Sequence, residues 1–276
     1  MNAKTADLLK SYSAALAGNE RSAATIEKYL RNAGRFLDWV GVRELSKELV
    51  IQWKSTLTGA PASINGEISA VNSLLAYLGH ADWKVRQVRT QRRTYRPKEK
   101  SMTREEFGRL VRTAEEQGNH RLARAIETIG ATGIRVSELR FITVESLTER
   151  EVTVRNKGKL RTILLTAELA RKLKAYCKQA GIAHGEVFVT RSGRSLARTQ
   201  LWAEMKKLCS AAGVEPGKVF PHNLRHLFAV IHYRLHRDIA KLADLLGHSS
   251  INTTRIYLLE TGEEHLRQLE AMRMVI

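Results

Sequence analysis

The sequence predicts a mainly α fold with a small β-sheet, divided into two domains. Apolar residues recur at three- and four-residue spacing through most of the first 78 residues, which is the period of amphipathic helices. A basic stretch with few large apolar residues follows, and the second half contains one pair of alternating segments typical of a β-hairpin. A chain of 276 residues is long enough for two modest domains, whereas one domain of this size would be unusually large.

The first domain, residues 1–90, is predicted to contain four helices. The segment 23–40 shows the clearest apolar stripe, made by Ile26, Tyr29, Leu30, Ala33, Phe36, Leu37 and Val40. The other three helices are predicted at about 4–17, 46–57 and 62–78. The last of these opens after Pro61, a residue that is tolerated at a helix start.

The charge of the chain favours a polyanionic partner. Lys and Arg number 46 against 28 Asp and Glu, which gives a net charge of +18 and a pI of about 10.2. Nucleic acid is therefore the expected partner, ahead of an anionic membrane surface. Apolar runs stay far below the roughly 18 residues that span a bilayer, and residues 1–10 lack the apolar stretch of a secretory signal. We expect a soluble, cytoplasmic protein associated with the nucleoid and not with a membrane.

Residues 91–101 are predicted to form a basic linker. Between Trp83 and Lys100, a single acid, Glu99, stands against eight basic residues, Lys84, Arg86, Arg89, Arg92, Arg93, Arg96, Lys98 and Lys100. Such a run cannot build a core, so it is either a solvated tether or a strap laid along phosphates. We favour the strap, because the run joins two candidate DNA-binding units in a strongly basic chain.

The second domain, residues 102–276, is predicted to be mostly helical with a small sheet. Helices are expected near 103–117, after an N-cap region at Ser101, near 120–131, and throughout the chain after Leu196. Alternation in 151–155 and 160–164 predicts a hairpin around Gly158, with a third short strand at 187–190. Cys177 and Cys209 lie in amphipathic helical segments without metal spacing, so neither a disulfide nor a zinc site is expected.

Six basic and phenolic residues of the second domain form a candidate catalytic set: Arg135, Lys157, His222, Arg225, His248 and Tyr257. Breaking a phosphodiester requires a nucleophile, charge relief at the phosphorus and a proton for the departing oxygen. The sequence shows no obvious carboxylate cluster for Mg²⁺, so side-chain cations are expected to supply the last two. Two arginines, a lysine, two histidines and a tyrosine satisfy these requirements together.

Most members of the set also have an ordinary structural interpretation. Arg135 can pair with Glu138 three residues on, as on the surface of many helices. His248 follows Gly247, where a helix is expected to end, and can be a capping or buried histidine. Tyr257 has the spacing of a core aromatic. The pattern HxxR, formed by His222 and Arg225, arises often by chance. The functional hypothesis therefore depends on the whole set.

In order and context, the set resembles the tyrosine recombinases, also called the phage integrase family. The resemblance rests on the order Arg, Lys, His-x-x-Arg, Gly-His, Tyr, on the flanks TGIRVSEL and LLGHSSINTTRIY, and on the nine-residue step from His248 to Tyr257. It covers both domains, and implies a SAM-like, helical core-binding DNA domain followed by an α+β catalytic domain. With no room before the first domain for an arm-binding domain, the chain looks closest to the compact, Xer-like members.

The resemblance implies how the nucleophile and the arginines act. Tyr257 would attack the scissile phosphate and form a 3′-phosphotyrosyl link, which frees a 5′-hydroxyl. Arg135 and Arg225 would hold the non-bridging oxygens. No metal or other cofactor is implied, and religation needs no ATP because the covalent link conserves the energy of the diester.

The resemblance also assigns the proton-transfer residues, with two departures from the usual pattern. Lys157 would protonate the leaving 5′ oxygen, His222 would exchange the proton of the nucleophile, and His248 would donate to the phosphate. The hairpin tip is about one residue shorter than the frequent Lys-Gly-x-Lys-x-Arg, so Lys159 is a rival to Lys157. Asn223 stands where many members have Asp.

The implied function is site-specific recombination of double-stranded DNA at a short inverted-repeat core site. A homotetramer would act on two sites through a Holliday junction, with room for accessory proteins or a second recombinase. A type IB topoisomerase or telomere resolvase shares the chemistry, and a non-catalytic DNA-binding protein is the alternative from another class.

The amphipathic tail, residues 263–276, either packs on its own domain or docks on a neighbouring protomer. The target sequence, and the choice among integration, excision, inversion and dimer resolution, are not encoded in any recognisable motif.

Overall fold

The computed structural model describes residues 3–89, 101–156, 159–258 and 262–274. The chain divides into two compact units, Met1–Arg92 and Arg93–Ile276. Apart from Ser101, the basic linker predicted at 91–101 lies outside the described residues.

The first unit contains the four helices that the apolar periodicity predicts: α1 (Ala3–Gly18), α2 (Ala23–Val40), α3 (Lys47–Thr56) and α4 (Pro61–Tyr77). Ser22 and Ser46 cap α2 and α3 by accepting hydrogen bonds from backbone N–H groups of the first turn. Phe36 and Trp53 meet edge to face in the buried core, with ring centroids 5.0 Å apart. Each predicted helix is present within two residues of its expected bounds.

The chain that leaves α4 is fastened to that helix by two asparagines. The side-chain amide of Asn72 donates to the Val85 carbonyl and accepts from the Val85 N–H, both at 2.9 Å. Asn65 makes the same pair of bonds with Val88, at 3.0 and 2.8 Å. The extended backbone up to residue 88 therefore belongs to the first unit, with its hydrogen bonds satisfied by side chains of α4.

The second unit is mostly helical within its described residues. Its helices are α5 (Arg104–Glu116), α6 (His120–Thr132), α7 (Ser146–Glu149), α8 (Ala167–Ala180), α9 (Arg198–Ala212), α10 (Pro221–His236), α11 (Ile239–Leu246), α12 (Ile251–Arg255) and α13 (Gly262–Ala271). The central helix is α6, which packs against α5, α8, α9 and α10. The predicted N-cap at Ser101 is wrong. Thr103 caps α5, because Glu106 lies three residues later and completes a capping box.

A β-hairpin packs beside these helices. Strand β1 (Glu151–Asn156) pairs antiparallel with β2 (Lys159–Leu164), so that Val154 faces Arg161 across the ladder. The expected third strand at 187–190 is wrong: that region makes only isolated bridges, Thr143↔Glu186 and Val189↔Ser195. A turn reverses the chain directly after residue 190, before a continuous ladder can form.

Gly133, the C-cap of α6, is expected to be costly to replace. Its φ is +63°, and an added Cβ would lie 2.5 Å from Cδ1 of Phe228 and 3.0 Å from Cδ2 of Leu246. Gly133→Ala should therefore lose about 1–2 kcal/mol to left-handed strain and about 1–3 kcal/mol more to overpacking. The free energy of unfolding in urea measures the sum of the two losses. The matched control is Gly181→Ala, since Gly181 has φ +68° and no atom within 4 Å of the added Cβ; equal losses in the two variants would contradict the packing argument.

Candidate active site

Three arginines converge on the C-terminal end of α11. Nη1 of Arg161, Nη2 of Arg225 and Nη2 of Arg135 lie 2.7, 2.6 and 3.4 Å from the carbonyl oxygens of three successive residues, Leu245, Leu246 and Gly247. Carbonyls at a helix C-terminus have no partner within the helix and carry partial negative charge, so they attract cations. The end of α11 thus gathers guanidinium groups contributed by a hairpin strand, by α10 and by the turn after α6.

Arg225 is the most deeply buried of the three. It lies in the first part of α10, which begins with Pro221, and it is 2% exposed. Its guanidinium also donates to the carbonyl of Gly133, the C-cap of α6, so it bridges two helix ends. Burial lowers the pKa of Arg225 to about 10, the positive charge of Arg135 adds to this effect, and the interaction with Tyr257 opposes it. Arg225 is still a cation at pH 7.

A buried carboxylate orients the other two arginines. Glu138, whose side chain is 2% exposed, accepts from Nη1 and from the backbone N–H of Arg135, both at 2.9 Å. The Oε2 atom of Glu138, which accepts from the backbone N–H of Arg135, also accepts from Nη2 of Arg161. The Arg135–Glu138 pair therefore exists, with the Arg135 side chain 34% exposed, but its carboxylate is buried and binds the guanidinium of Arg161 as well. Burial lowers the pKa of Arg161, and the charge of Glu138 opposes that shift.

His248 lies directly beside Arg225. The predicted helix end is confirmed, since α11 stops at Leu246 and Gly247 caps it with φ +62°. The Nε2 atom of His248 is 3.0 Å from Nη2 of Arg225, and Nδ1 is 2.9 Å from Oγ1 of Thr254. Burial lowers the pKa of His248 to about 4, and nearby cations, Arg225 first, add to this effect. The imidazole is therefore neutral at pH 7.

Three imidazoles surround the ring of Tyr257. The tyrosine lies on a 3-10 helix, Ile256–Leu258, and is 6% exposed. Its ring centroid is 5.3 Å from that of His222, 5.5 Å from that of His248 and 5.6 Å from that of His226. Tyr257 also joins a small apolar cluster of α10 and α11. A core aromatic and a candidate nucleophile are thus the same residue here, held against both predicted histidines.

Five members of the predicted set come together around α11 and Tyr257: Arg135, His222, Arg225, His248 and Tyr257. Lys157 lies outside the described residues. Lys159 begins β2, and the choice between these two lysines stays a prediction. Asn223 is fully buried and donates from Nδ2 to the carbonyl of Lys218 at 2.8 Å.

Four neighbours of the set were not predicted as site residues: Glu138, Arg161, His226 and Thr254. Arg161 carried a recognisable signal, because its register places a charged side chain on the same hairpin face as buried Val154 and Ile163. His226 lies one helical turn after His222. The pattern gave no signal for Thr254, since its role appears only when α12 folds back on His248.

The depressed pKa of His248 predicts a pH-dependent stability. In the unfolded chain the histidine titrates near 6.5, against about 4 in the folded protein. Between these values the unfolded state binds a proton that the folded state does not, so stability falls as the pH drops from 6.5 towards 4. Urea unfolding at pH 7 and pH 5 should show a smaller loss for His248→Gln than for the wild-type protein. A control variant, exposed His184→Gln, should lose as much as wild type; an unchanged loss in His248→Gln would refute the linkage.

Comparison with known proteins decides the family. The model of the phage integrase family matches residues 100–264, which is more than half of the chain. The chain belongs to the phage integrase family. Its activity is accordingly that of a tyrosine site-specific recombinase, as the sequence predicted.

Two related sequences are named tyrosine recombinases. The recombinase is 27% identical over 269 residues to "Tyrosine recombinase XerD" of Vibrio cholerae serotype O1, with 89% of this chain and 88% of that protein covered. It is 35% identical over 161 residues to "Tyrosine recombinase XerD" of Xanthomonas axonopodis pv. citri. That second alignment covers 53% of this chain and 52% of that protein.

Solved structures share the fold of the recombinase. XerH site-specific recombinase bound to palindromic difH substrate matches with a TM-score of 0.70 at 18% identity, over 97% of this chain and 84% of that one. A lambda integrase dimer bound to a core site also matches with a TM-score of 0.70, at 17% identity, over 91% and 94% of the two chains. The predicted mainly α fold with a small sheet is confirmed.

Among the described residues of the recombinase, three or more His, Cys, Asp or Glu side chains do not come together in a way that could hold a metal ion. None of the described helices combines the length and apolarity needed to cross a bilayer.

Proposed function

We propose that this recombinase cleaves and rejoins double-stranded DNA through a covalent link between Tyr257 and a 3′ phosphate. One observation carries the proposal: the ring of Tyr257 packs against His248 and His222 beside the buried guanidinium of Arg225. A phosphate that reached the Tyr257 hydroxyl would meet fixed cations already aimed by helix ends and by Glu138. Preorganised charge of this kind is the main means by which enzymes stabilise a pentacoordinate phosphate.

The reaction exchanges one phosphate ester for another. Oη of Tyr257 attacks the phosphorus, the new P–O bond forms, and the bond to the 5′ oxygen breaks. Arg135 and Arg225 bind the non-bridging oxygens, since a planar guanidinium matches two oxygens at once. Religation reverses these steps with a 5′-hydroxyl as nucleophile, and no external energy source is needed.

Two proton transfers accompany the exchange. His222, 5.3 Å from Tyr257 between ring centroids, takes the phenolic proton. Lys157 gives a proton to the departing 5′ oxygen, with Lys159 as the rival donor. His248 donates from its ring to a phosphate oxygen. Religation returns each proton.

We assign the first unit to DNA binding and the second to catalysis. The proposed boundaries are residues 1–90 for the core-binding domain, 91–101 for a basic strap along phosphates, and 102–276 for the catalytic domain with its tail helix. The net charge of +18 supports contact of both units with DNA. Because several phosphates are neutralised, the logarithm of the binding constant should fall steeply with the logarithm of the salt concentration.

We further propose a homotetramer that joins two inverted-repeat sites through a Holliday junction, in the cytoplasm and on the nucleoid. XerH was crystallised on a palindromic substrate and lambda integrase as a dimer on a core site, which supports an assembly on symmetric DNA.

On the tail helix α13 and just after it, four apolar side chains are exposed: Leu266, Leu269, Met272 and Met274. They support docking of the tail on a neighbouring protomer. A chain ending at residue 261 that still assembled normally on DNA would exclude this docking.

Covalent capture tests the proposed function. The protein is incubated with fragmented DNA from its own source, the mixture is denatured in SDS, and protein-linked fragments are recovered and sequenced. A parallel sample, in which SDS precedes the DNA, gives the background. Fragments concentrated at one short inverted-repeat site are expected. Linked fragments scattered over all sequences would instead indicate a topoisomerase, and an absence of linked fragments would contradict the covalent mechanism.

A further inference from the structure

Thr254 occupies a special position between two proposed catalytic residues. It is fully buried on α12, three residues before Tyr257, and its Oγ1 lies 2.9 Å from Nδ1 of His248. Buried hydroxyls need a hydrogen-bond partner, and here the partner is the imidazole ring. Thr254 therefore contacts His248 on the side opposite to Arg225, which is 3.0 Å from Nε2.

The partners of His248 fix the position of its proton. The guanidinium of Arg225 can only donate hydrogen bonds, so Nε2 of His248 must accept. A neutral imidazole then carries its proton on Nδ1, and this N–H donates to Oγ1 of Thr254. In the DNA-free protein, Nε2 is thus an acceptor that cannot yet donate to a phosphate.

We propose that Thr254 is a positioning residue of the recombinase, whose hydroxyl holds Nδ1–H of His248 so that Nε2 is the ring atom that meets the scissile phosphate. This inference rests on the proposed role of His248. When a phosphate oxygen takes the N–H of Arg225, Nε2 is released. A proton from solvent adds to Nε2, and the new N–H donates to the phosphate, while Nδ1–H stays bonded to Thr254 throughout.

The surroundings of His248 couple this proton uptake to DNA. The groups that face the imidazole come from α10, from the turn after α6, from β2 and from the 3-10 helix after α12: Arg225, His222, Arg135, Arg161 and Tyr257. Burial of the ring, and then the positive charges of the three arginines, disfavour an imidazolium in the free protein. A phosphodiester brings the opposing negative charge, and the Thr254 hydroxyl is an acceptor that suits the protonated ring.

Two substitutions at Thr254 separate positioning from packing. Thr254→Val keeps the shape and removes the hydroxyl, whereas Thr254→Ser keeps the hydroxyl. Nitrogen-15 NMR of the DNA-free protein should show His248 as the Nδ1–H tautomer in wild type and in Thr254→Ser. In Thr254→Val the proton should stay on Nδ1, because Arg225 still requires Nε2 to accept, but this N–H should exchange with water about tenfold faster because it has lost its acceptor.

Cleavage kinetics give the functional measurement. On a nicked substrate that traps the covalent product, Thr254→Val should cleave more slowly by about tenfold to 10²-fold, the cost of a slightly misplaced catalytic group. The pH at half-maximal rate should fall by about one unit, because loss of the hydroxyl lowers the proton affinity of His248 about tenfold. Thr254→Ser should restore both values.

Thr128→Val is the matched control. Thr128 is also fully buried, but its Oγ1 donates to the Arg124 carbonyl of its own helix at 2.7 Å. This variant should retain the wild-type pH profile even if its stability falls. A folded Thr254→Val protein with the wild-type Nδ1–H exchange rate, cleavage rate and pH profile would overturn the inference. A wild-type protein that forms no covalent complex would instead refute the proposed function, and the NMR measurement would still test the role of Thr254.

Discussion

Tyr257→Phe is expected to abolish strand cleavage while DNA binding persists. The substitution removes one oxygen and keeps the ring that packs among the three imidazoles and the apolar cluster of α10 and α11. Without the hydroxyl no P–O bond to the protein can form, and loss of a nucleophile in other covalent enzymes costs on the order of 10⁶ in rate. The covalent adduct, measured on a nicked substrate in SDS gels, should fall below detection.

Tyr233→Phe is the control for the loss of a phenol. Tyr233 packs against the same small cluster on α10, and its ring lies 5.6 Å from the guanidinium carbon of Arg237. Its hydroxyl has no part in the proposed chemistry, so this variant should cleave at close to the wild-type rate. Covalent product from Tyr257→Phe, or loss of product from Tyr233→Phe, would move the nucleophile away from Tyr257.

The fold was predictable where the sequence pattern is local. The helices of the first unit follow directly from apolar periodicity, and the hairpin follows from alternation on both sides of one glycine. The prediction of a third strand failed for a physical reason. An apolar run at 187–190 is compatible with a strand, but the residues that it pairs with are set by distant parts of the chain. Val187 hydrogen-bonds to Ile142, more than forty residues earlier, and the turn after residue 190 ends the pairing.

The candidate site was predictable as a set of residues and not as a network. The order of basic residues and the tyrosine resembles the family pattern, and the described members do come together. The contacts that hold them are not periodic: Arg225 reaches Gly133 and Leu246, 92 and 21 residues away. A carbonyl acceptor leaves no trace in the side-chain sequence. The roles of Glu138 and Thr254 could not be predicted for the same reason, since the fold decides which groups a buried side chain contacts.

The arrangement also explains why the site tolerates so much positive charge. Each guanidinium rests on a carbonyl at the end of α11, and Arg135 and Arg161 share Glu138 as well. Helix ends supply partial negative charge without adding a full anion that would compete with the phosphate. The cations are therefore held in place in the free protein and still retain attraction for DNA.

Arg225→Lys is expected to show that geometry, and not charge alone, is required at this position. Lysine keeps one positive charge but lacks the planar fork that contacts Gly133, Leu246 and His248 together. Single-turnover cleavage should fall by about 10²- to 10³-fold, as when one oxyanion donor is lost. Unfolding in urea should reveal a stability loss of about 1–3 kcal/mol, because buried carbonyls lose their donor.

DNA binding and an exposed control complete this test. Arg225→Lys should bind the site within about tenfold of wild type, since the charge that meets the phosphate persists. Arg171→Lys, on the exposed surface of α8, should change stability by less than about 0.5 kcal/mol and leave cleavage unaltered. If Arg225→Lys cleaved within about threefold of wild type, a single ammonium would suffice at the phosphate, and the buried fork between two helix ends would have a structural role only.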